Sequence, residues 1–302
     1  MKLPIGRIFK IFFVGLVVFF LGDFFLKHIS ELETIHLQFE WKYLVISFLF
    51  STASSFFFAL IWYFITKRNH CAIPFGESVF YRTLSDLGKY IPGAVIGYVY
   101  LLSLYKKQNH SRSIVTSCML IENIGCLLSA IVISFLALFW IVPAFITHSL
   151  WLIVLFFFLC AFLSHPRVLQ FCLNFLLHLI KKDSIQITIS YPTVLFITFL
   201  YALNWIVLGL SVFFLFQAFF PIGLEHIPLA IGALTFSAFL GILAIFAPSG
   251  IGIREGAFIF LFSSIMPASI ATIGALISRL LITLSEVAIF GVMLFGKKFL
   301  QK

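Results

Sequence analysis

The chain has 302 residues, of which 62% are hydrophobic and only 10% are charged, and its mean hydropathy is +1.14. This composition excludes a soluble globular domain, in which about a quarter of the residues are charged, and predicts an all-α polytopic membrane protein. No polar stretch is long enough to form a separate catalytic domain, so we treat residues 1–302 as a single integral membrane domain. The five cysteines form no CxxC pair and the eight histidines show no metal-ligand spacing, so no metal or other cofactor is expected.

The first half of the chain contains two uninterrupted apolar runs, an interrupted one and a further long run. Residues 8–27 and 41–66 are each long enough to cross a bilayer, which takes about 20 helical residues. Because no cleavage site follows the first run, we interpret it as a retained helix and not as a signal peptide. Residues 73–105 are interrupted and flanked by basic residues at both ends, which predicts a re-entrant hairpin or two short helices. A long run at 113–141 follows.

The second half repeats this order after a connecting region. Residues 144–164 are predicted to cross the bilayer and residues 168–180 to lie at its surface. An uninterrupted run follows at 191–219, then an interrupted one at 228–266, and the last run covers 269–295. In total the sequence predicts about six to eight transmembrane helices and two interrupted hairpins.

Both halves therefore consist of a long helix, an interrupted hairpin and a long helix, with the hairpins entering from opposite faces of the membrane. This layout predicts an inverted repeat, with its first copy at about 41–141 and its second at about 191–296. Transporters built from inverted repeats bind their substrate near the middle of the bilayer, between broken helices. The internal sequence similarity is weak, so the prediction depends on topology and on the Pro/Gly tips of the hairpins.

The net charge is +9, and the basic residues are concentrated in alternate loops. By the positive-inside rule these loops are cytoplasmic, which places both termini in the cytoplasm of a bacterial inner-membrane protein. An alternative role for the same residues is to bind anionic lipid headgroups. Nucleic-acid binding is not expected, because the basic residues do not alternate with stacking aromatic residues on a soluble surface. The cytoplasmic set includes Lys67, Arg68, Lys106, Lys107, Arg112, Arg167, Lys181, Lys182, Lys297 and Lys298.

The second hairpin is interrupted by the segment APSGIGIREG. Pro248 cannot continue a helix, whereas Gly250 and Gly252 allow close approach and backbone conformations that other residues disfavour. If a half-helix begins just after Gly252, its free N–H groups and positive dipole end would form an anion site. Arg254 would add a two-pronged donor suited to phosphate or carboxylate. The segment is not a P-loop, because no Gly-Lys-Ser/Thr follows the glycines.

Nine ionisable residues fall inside predicted helices or hairpins. At the centre of a membrane helix each of them costs about 2.5–3.5 kcal/mol on insertion scales, so such residues indicate a functional site by default. The structural alternative is that paired charges only hold helices together. The nine residues are Asp23, Arg82, Asp86, Lys89, Glu122, Arg254, Glu255, Arg279 and Glu286.

Sequence spacing predicts pairs among these residues. Arg82 and Asp86 are four residues apart on one helix face, and Arg279 and Glu286 lie two turns apart along one stripe of the last helix. Glu122 has no partner in its own helix, so a cation from a hairpin tip is expected to meet it. The two candidates are Lys89 and Arg254.

With these motifs the sequence resembles the lysylphosphatidylglycerol synthase transmembrane-region family of flippase-like membrane proteins. The resemblance lies in GKYIPG at 88–93 and PSGIGIRE at 248–255, and it extends over the chain in length and helix layout. Ser249 stands where the family motif usually has glycine. In fused family members a transferase domain follows a membrane part that is thought to move aminoacylated phosphatidylglycerol between leaflets. No such domain follows residue 302, so lysyl transfer is not expected.

We therefore expect a protein that translocates or binds an anionic phospholipid or a lipid-linked sugar, with Arg254 and Lys89 holding the phosphate and the glutamates balancing charge or accepting an amine. It is not expected to be an enzyme, and membrane lipids are its expected partners; its oligomeric state is left open. The alternatives are a membrane-embedded lipid-modifying transferase and a non-catalytic subunit of an envelope-biosynthesis complex. The predicted substrate-binding residues are Lys89, Pro92, Gly93, Glu122, Pro248, Gly250, Gly252, Arg254, Glu255, Arg279 and Glu286.

Overall fold

The structure is a computed structural model, and it describes residues 39–88, 96–141, 150–179, 189–244 and 250–300. Within these ranges the chain forms ten α-helices, one short 3-10 helix and no β-strand. The predicted helix at 8–27 and the two hairpin tips, with Lys89, Pro92, Gly93 and Pro248, lie outside the described residues. In chain order the α-helices are α1 (Trp41–Arg68), α2 (Phe75–Leu87), α3 (Ile96–Lys107), α4 (Arg112–Ile141), α5 (Leu150–Leu163), α6 (Pro166–Leu179), α7 (Tyr191–Phe219), α8 (Ile227–Leu243), α9 (Ile253–Phe262) and α10 (Ala268–Leu300).

Five helical segments of the described chain are long and apolar enough to cross a membrane, which confirms the prediction of an all-α polytopic membrane protein. They are Trp41–Arg68, Arg112–Ala137, Tyr191–Phe219, Leu224–Leu243 and Ala268–Phe295. The fourth of these joins the 3-10 helix to α8, so one arm of the second hairpin reaches spanning length by itself. The arms of the first hairpin, α2 and α3, have only 13 and 12 residues. The described arms of the two hairpins therefore differ in length.

Helix α1 illustrates why these sequences pack as they do. Ser47, Ser51 and Ser54 recur at helical spacing and are buried, whereas Val45 and Leu49 are exposed. Lipid chains are as apolar as these outer residues, so helices associate in a membrane mainly through small residues that allow close backbone approach. The serine stripe of α1 therefore faces the protein interior.

Helices α1 and α7 pack against each other in opposite directions. The backbone N–H of Glu40, just before α1, donates to the carbonyl of Ala218 at the end of α7 over 2.7 Å. Midway along both helices the hydroxyl of Ser54 donates to Asn204 Oδ1 over 3.0 Å. The start of one helix thus meets the end of the other, as inversion of the two halves requires.

The helix contacts of one half have counterparts in the other. Helices α1 and α2, α2 and α3, and α3 and α4 are in contact, as are α7 and α8, α8 and α9, and α9 and α10. Between the halves, α10 packs on α1 and α2, and α4 packs on α7 and α8. If α1, α2, α3 and α4 are exchanged with α7, α8, α9 and α10 in that order, the same pairs of helices are in contact. Two structurally related halves would produce this symmetry. The bounds of the copies, 41–141 and 191–296, stay a prediction.

Charge is distributed unequally between the two ends of the bundle. The indole of Trp62 on α1 donates to the hydroxyl of Tyr105 on α3 over 2.9 Å, and this contact brings the ends of α1 and α3 together. The basic residues at this end are Lys67, Arg68, Lys106 and Lys107. At the opposite end Glu40 directly precedes α1 and pairs with Lys42, so the charges there balance. The separation agrees with the positive-inside pattern, and the side of the membrane at each end stays a prediction.

Candidate functional site

A cavity of about 140 Å³ lies between the two halves of the protein. Its walls come from α1, α2, α7, α9 and α10. Three charged residues line it, namely Asp86, Arg254 and Glu286. The uncharged polar residues of its lining are Ser54, Ser55, Thr83 and Asn204. We call this space the polar cavity.

Helices α1 and α7 contribute to the polar cavity at matching positions. Ser54 and Asn204, which are hydrogen-bonded to each other, are 150 residues apart in the chain. The neighbouring lining residues keep the same offset: Ser55 and Phe58 on α1, Trp205 and Leu208 on α7. The cavity therefore straddles the boundary between the halves, where inverted-repeat transporters place their binding sites.

A buried ion cluster, the Arg82 cluster, lies beside the polar cavity. Arg82 donates from Nη1 to Asp86 over 2.5 Å and from Nε to Glu122 over 2.9 Å. The hydroxyl of Tyr201 donates to the same Glu122 oxygen over 3.2 Å. The guanidinium lies 5.0 Å from the ring centre of Phe58, where the face of the ring attracts a cation. The predicted pairing of Arg82 with Asp86 is thus confirmed.

The expectation that a cation from elsewhere meets Glu122 is confirmed, and this cation is Arg82. Sequence reasoning missed Arg82 because it considered only partners within the helix of Glu122 and at the hairpin tips, and one of its two candidates, Lys89, lies outside the described residues. Arg82 reaches Glu122 from α2, 40 residues earlier in the chain. Glu122 is 2% exposed and is not part of the polar cavity's lining. Its second oxygen has no hydrogen-bond partner among the described residues.

Helix α9 begins at Ile253, where the sequence predicts the half-helix to start. Both described glycines of the interruption have positive φ, 66° at Gly250 and 89° at Gly252, a region that favours glycine. A Cβ atom at Gly250 would lie 2.5 Å from the Cα atom of Gly241 on α8. These glycines therefore permit both the turn into α9 and its contact with α8.

The N-terminus of α9 already holds a carboxylate of the chain itself. The N–H of Gly252 donates to Glu255 Oε2 over 2.6 Å, and Arg279 of α10 pairs with the other oxygen of Glu255. Glu255 is 3% exposed, so this arrangement is buried. An external anion cannot take the same Gly252 N–H without displacing Glu255. Arg254, the next residue but one, lines the polar cavity, and its predicted role as an anion ligand stays a prediction.

The structure divides the predicted substrate-binding residues into three groups. Arg254 and Glu286 line the polar cavity. Gly250 and Gly252 shape the backbone next to it. The residues in buried ion pairs outside the lining are Glu122, Glu255 and Arg279. Lys89, Pro92, Gly93 and Pro248 lie outside the described residues.

Sequence reasoning missed several lining residues. Asp86 carries a recognisable signal, since it is a charge inside a predicted hairpin. Ser54 belongs to the buried serine stripe of α1, but such a stripe indicates helix packing as readily as a binding site. The other missed residues are Ser55, Phe58, Thr83, Asn204, Trp205, Leu208, Ile282 and Ile289.

The described residues contain no candidate metal centre and no disulfide. None of them form a group of three or more His, Cys, Asp or Glu side chains able to hold a metal ion. The cysteines with described side chains are buried and unbridged, as packing residues are: Cys71, Cys118, Cys126 and Cys160.

The described chain is thus a bundle of helices long enough to span a membrane, with a cavity among them that three charged residues line. These features define the class: a helical integral membrane protein with a polar site between its helices. Residues 7–289 match the family described as "Lysylphosphatidylglycerol synthase TM region", and the chain belongs to this family. The resemblance found in the two hairpin motifs is thereby confirmed, and it links the protein to membrane lipid metabolism or transport. Neither curated proteins nor solved structures gave a match to the chain.

Proposed function

We propose that the protein binds the headgroup of an anionic phospholipid or a lipid-linked sugar in the polar cavity and moves that lipid between the leaflets of the bacterial inner membrane. The observation that carries this proposal is the position of Arg254, which lines a cavity at the boundary between the halves and lies at the start of a broken helix. Lipid headgroups need a polar route through the hydrocarbon core, and a cavity of this kind supplies part of one.

Arg254 is the proposed phosphate ligand. Its guanidinium presents planar paired donors that match two oxygens of a phosphodiester, and it stays charged at any physiological pH. It is the second residue of α9, so the positive end of the helix dipole adds to its field. Glu255, one residue later, is matched by Arg279, which limits its competition with the phosphate.

Asp86 and Glu286 are the proposed contacts for the rest of the headgroup. Carboxylates accept hydrogen bonds from amines and hydroxyls, and both groups occur in phospholipid and sugar headgroups. Asp86 is held in place by Arg82 and therefore does not enter the cavity as an unpaired charge. The hydroxyls of Ser55 and Thr83 offer further hydrogen bonds. A headgroup that carries both a phosphate and hydrogen-bond donors fits this lining best.

Leaflet-resolved lipid movement in proteoliposomes tests the proposal. The lipids are fluorescent phosphatidylglycerol, lysyl-phosphatidylglycerol and an undecaprenyl-phosphate sugar, each followed by quenching from the outside. We expect one of them to move, and Arg254→Ala to slow it about tenfold or more, because a hydrogen bond to a charged group contributes about 1.5–3 kcal/mol. Arg112→Ala, at the exposed start of α4, is the matched control and should move lipid normally.

Two outcomes would contradict the proposal. If wild-type protein moves none of these lipids, the transferase and the non-catalytic subunit become the better explanations of the family membership. If Arg254→Ala moves lipid at the wild-type rate, the phosphate is held elsewhere and the polar cavity is not the headgroup site.

A further inference from the structure

A second cavity, of about 290 Å³, lies between α4, α5, α8 and α9. At its edge α4 and α8 are in close contact. A Cβ atom added to Gly232 of α8 would lie only 2.4 Å from the Cβ atom of Ala137 of α4. Beyond this contact the space opens between aromatic side chains. The rings that line it are Phe135, Phe156, Phe236 and Phe239. We call this space the apolar cavity.

The walls of the apolar cavity contain almost no groups that can hydrogen-bond to water. All of its lining residues except Ser134 are apolar or glycine. The hydroxyl of Ser134 donates to the hydroxyl of Thr235 over 3.1 Å, and Thr235 also donates to the carbonyl of Ile231 over 2.8 Å. The space is open on one side, since Phe236 in its wall is 37% exposed. A water in it would find few of the two to four polar partners that a bound water needs, so the chemistry of the walls favours a hydrocarbon.

Helix α9 connects the apolar cavity with the polar one. Arg254 lines the polar cavity and Leu261 lines the apolar cavity. The two residues are seven positions apart, so they share one face of the helix and are separated by about 10 Å along its axis. One face of α9 thus has a charged side chain at one end and an apolar side chain at the other. A lipid has the same arrangement, with a charged headgroup at one end and a hydrocarbon chain at the other.

We propose that the apolar cavity holds a hydrocarbon chain of the same lipid whose headgroup occupies the polar cavity. The inference rests on the proposed function and extends it, because it makes the chain part of what is recognised. Headgroup and chain are bound along α9 as one ligand. The substrate is then a lipid with a chain long enough to reach Leu261, and a free headgroup without a chain binds weakly.

The test uses phosphatidylglycerol with a photoreactive diazirine at the end of one acyl chain, incorporated with the protein into nanodiscs. After illumination, labelled peptides are located by mass spectrometry. The reference surface is the lipid-facing side of α10, where Leu284 is 55% and Val292 is 70% exposed. We expect the segment around Ile131 and the segment around Phe236 to be labelled several-fold more strongly than this reference.

Matched variants on α4 control for bulk lipid. Ile131→Trp fills the apolar cavity and should lower its labelling to the reference level. Leu136→Trp places the same side chain on a 44% exposed position outside the lining and should change nothing. Arg254→Ala should also lower labelling of the cavity, because headgroup and chain belong to one molecule.

The outcomes separate this inference from the proposed function. Equal labelling of the apolar cavity and of α10 in wild-type protein would overturn the chain site, even if lipid moves normally. Preferential labelling that Ile131→Trp abolishes would support the chain site; if the same protein moved no lipid, the proposed function alone would fail. Preferential labelling that Arg254→Ala leaves unchanged would overturn the claim that both cavities hold one lipid.

Discussion

The charged residues among the membrane helices do two different things. Arg82 with Glu122, and Glu255 with Arg279, form ion pairs that join one helix to another, and both glutamates are buried. Arg254 and Glu286 line the polar cavity. Asp86 does both, because it pairs with Arg82 and also lines the cavity. The functional and structural interpretations that the sequence leaves open can therefore apply to the same residue, and experiments on single charges are needed to separate them. Removal of a charge should therefore affect stability at some positions and lipid handling at others.

Replacing Arg82 should destabilise the protein. Arg82→Met leaves Glu122 as a buried carboxylate and Asp86 as a half-buried one without their cation, and removing one partner of a buried pair costs about 3–5 kcal/mol. Adding Glu122→Met removes one of the orphaned charges, so the double variant should be more stable than Arg82→Met alone. Thermal unfolding in detergent, measured for both single variants and the double variant, gives the coupling between them. Additive losses of stability would show that the pair is not coupled.

At the scale of helices, the glycines at the start of α9 set its distance from α8. Gly250→Ala should lower the melting temperature, because it adds about 1–3 kcal/mol of backbone strain at φ 66° and pushes a Cβ atom against Gly241. The same change should slow lipid movement, because α9 carries Arg254.

Gly256→Ala is the matched control for that variant. Nothing lies within 4 Å of a Cβ atom at Gly256, and alanine is favoured over glycine in a helix by about 1 kcal/mol. We expect this variant to keep or slightly raise the melting temperature and to move lipid normally. If both alanine variants behaved alike in the two assays, close contact between α8 and α9 would not matter for either property.

Helices α2, α4, α9 and α10 show which features of the site can be predicted from the sequence and which cannot. The start of α9 could be predicted, because helix breakers are local signals, and so could an intramembrane charge beside it, Arg254. The partners of the buried charges could not. Arg82 meets Glu122 over a separation of 40 residues and Arg279 meets Glu255 over 24 residues, and such partners follow from how the helices pack. Hydroxyl residues of the cavity wall were missed for the same reason.

For the whole molecule, the orientation in the membrane is open to direct measurement. Asn109 lies in the loop between α3 and α4 at the basic end of the bundle, and Glu225 lies in the 3-10 helix before α8. With the five native cysteines replaced, Asn109→Cys should react with an impermeant maleimide only from the cytoplasmic side, and Glu225→Cys only from outside. Spheroplasts and inverted vesicles provide the two sides. The reverse pattern would contradict the positive-inside assignment.

Movement of one half against the other can be tested by a reversible crosslink across their boundary. The hydroxyls of Thr52 on α1 and Ser285 on α10 are 3.3 Å apart, so cysteines at both positions should be close enough for a disulfide. Neither residue lines the polar cavity. In inverted-repeat transporters access alternates by rocking of one half against the other, and such a bond would oppose this motion.

We therefore expect oxidation of the double-cysteine variant to stop lipid movement, reductant to restore it, and each single-cysteine variant to be insensitive to both. Unchanged movement in the fully crosslinked protein would rule out rocking at this contact and would favour a fixed path along the helices, with the headgroup site itself unaffected.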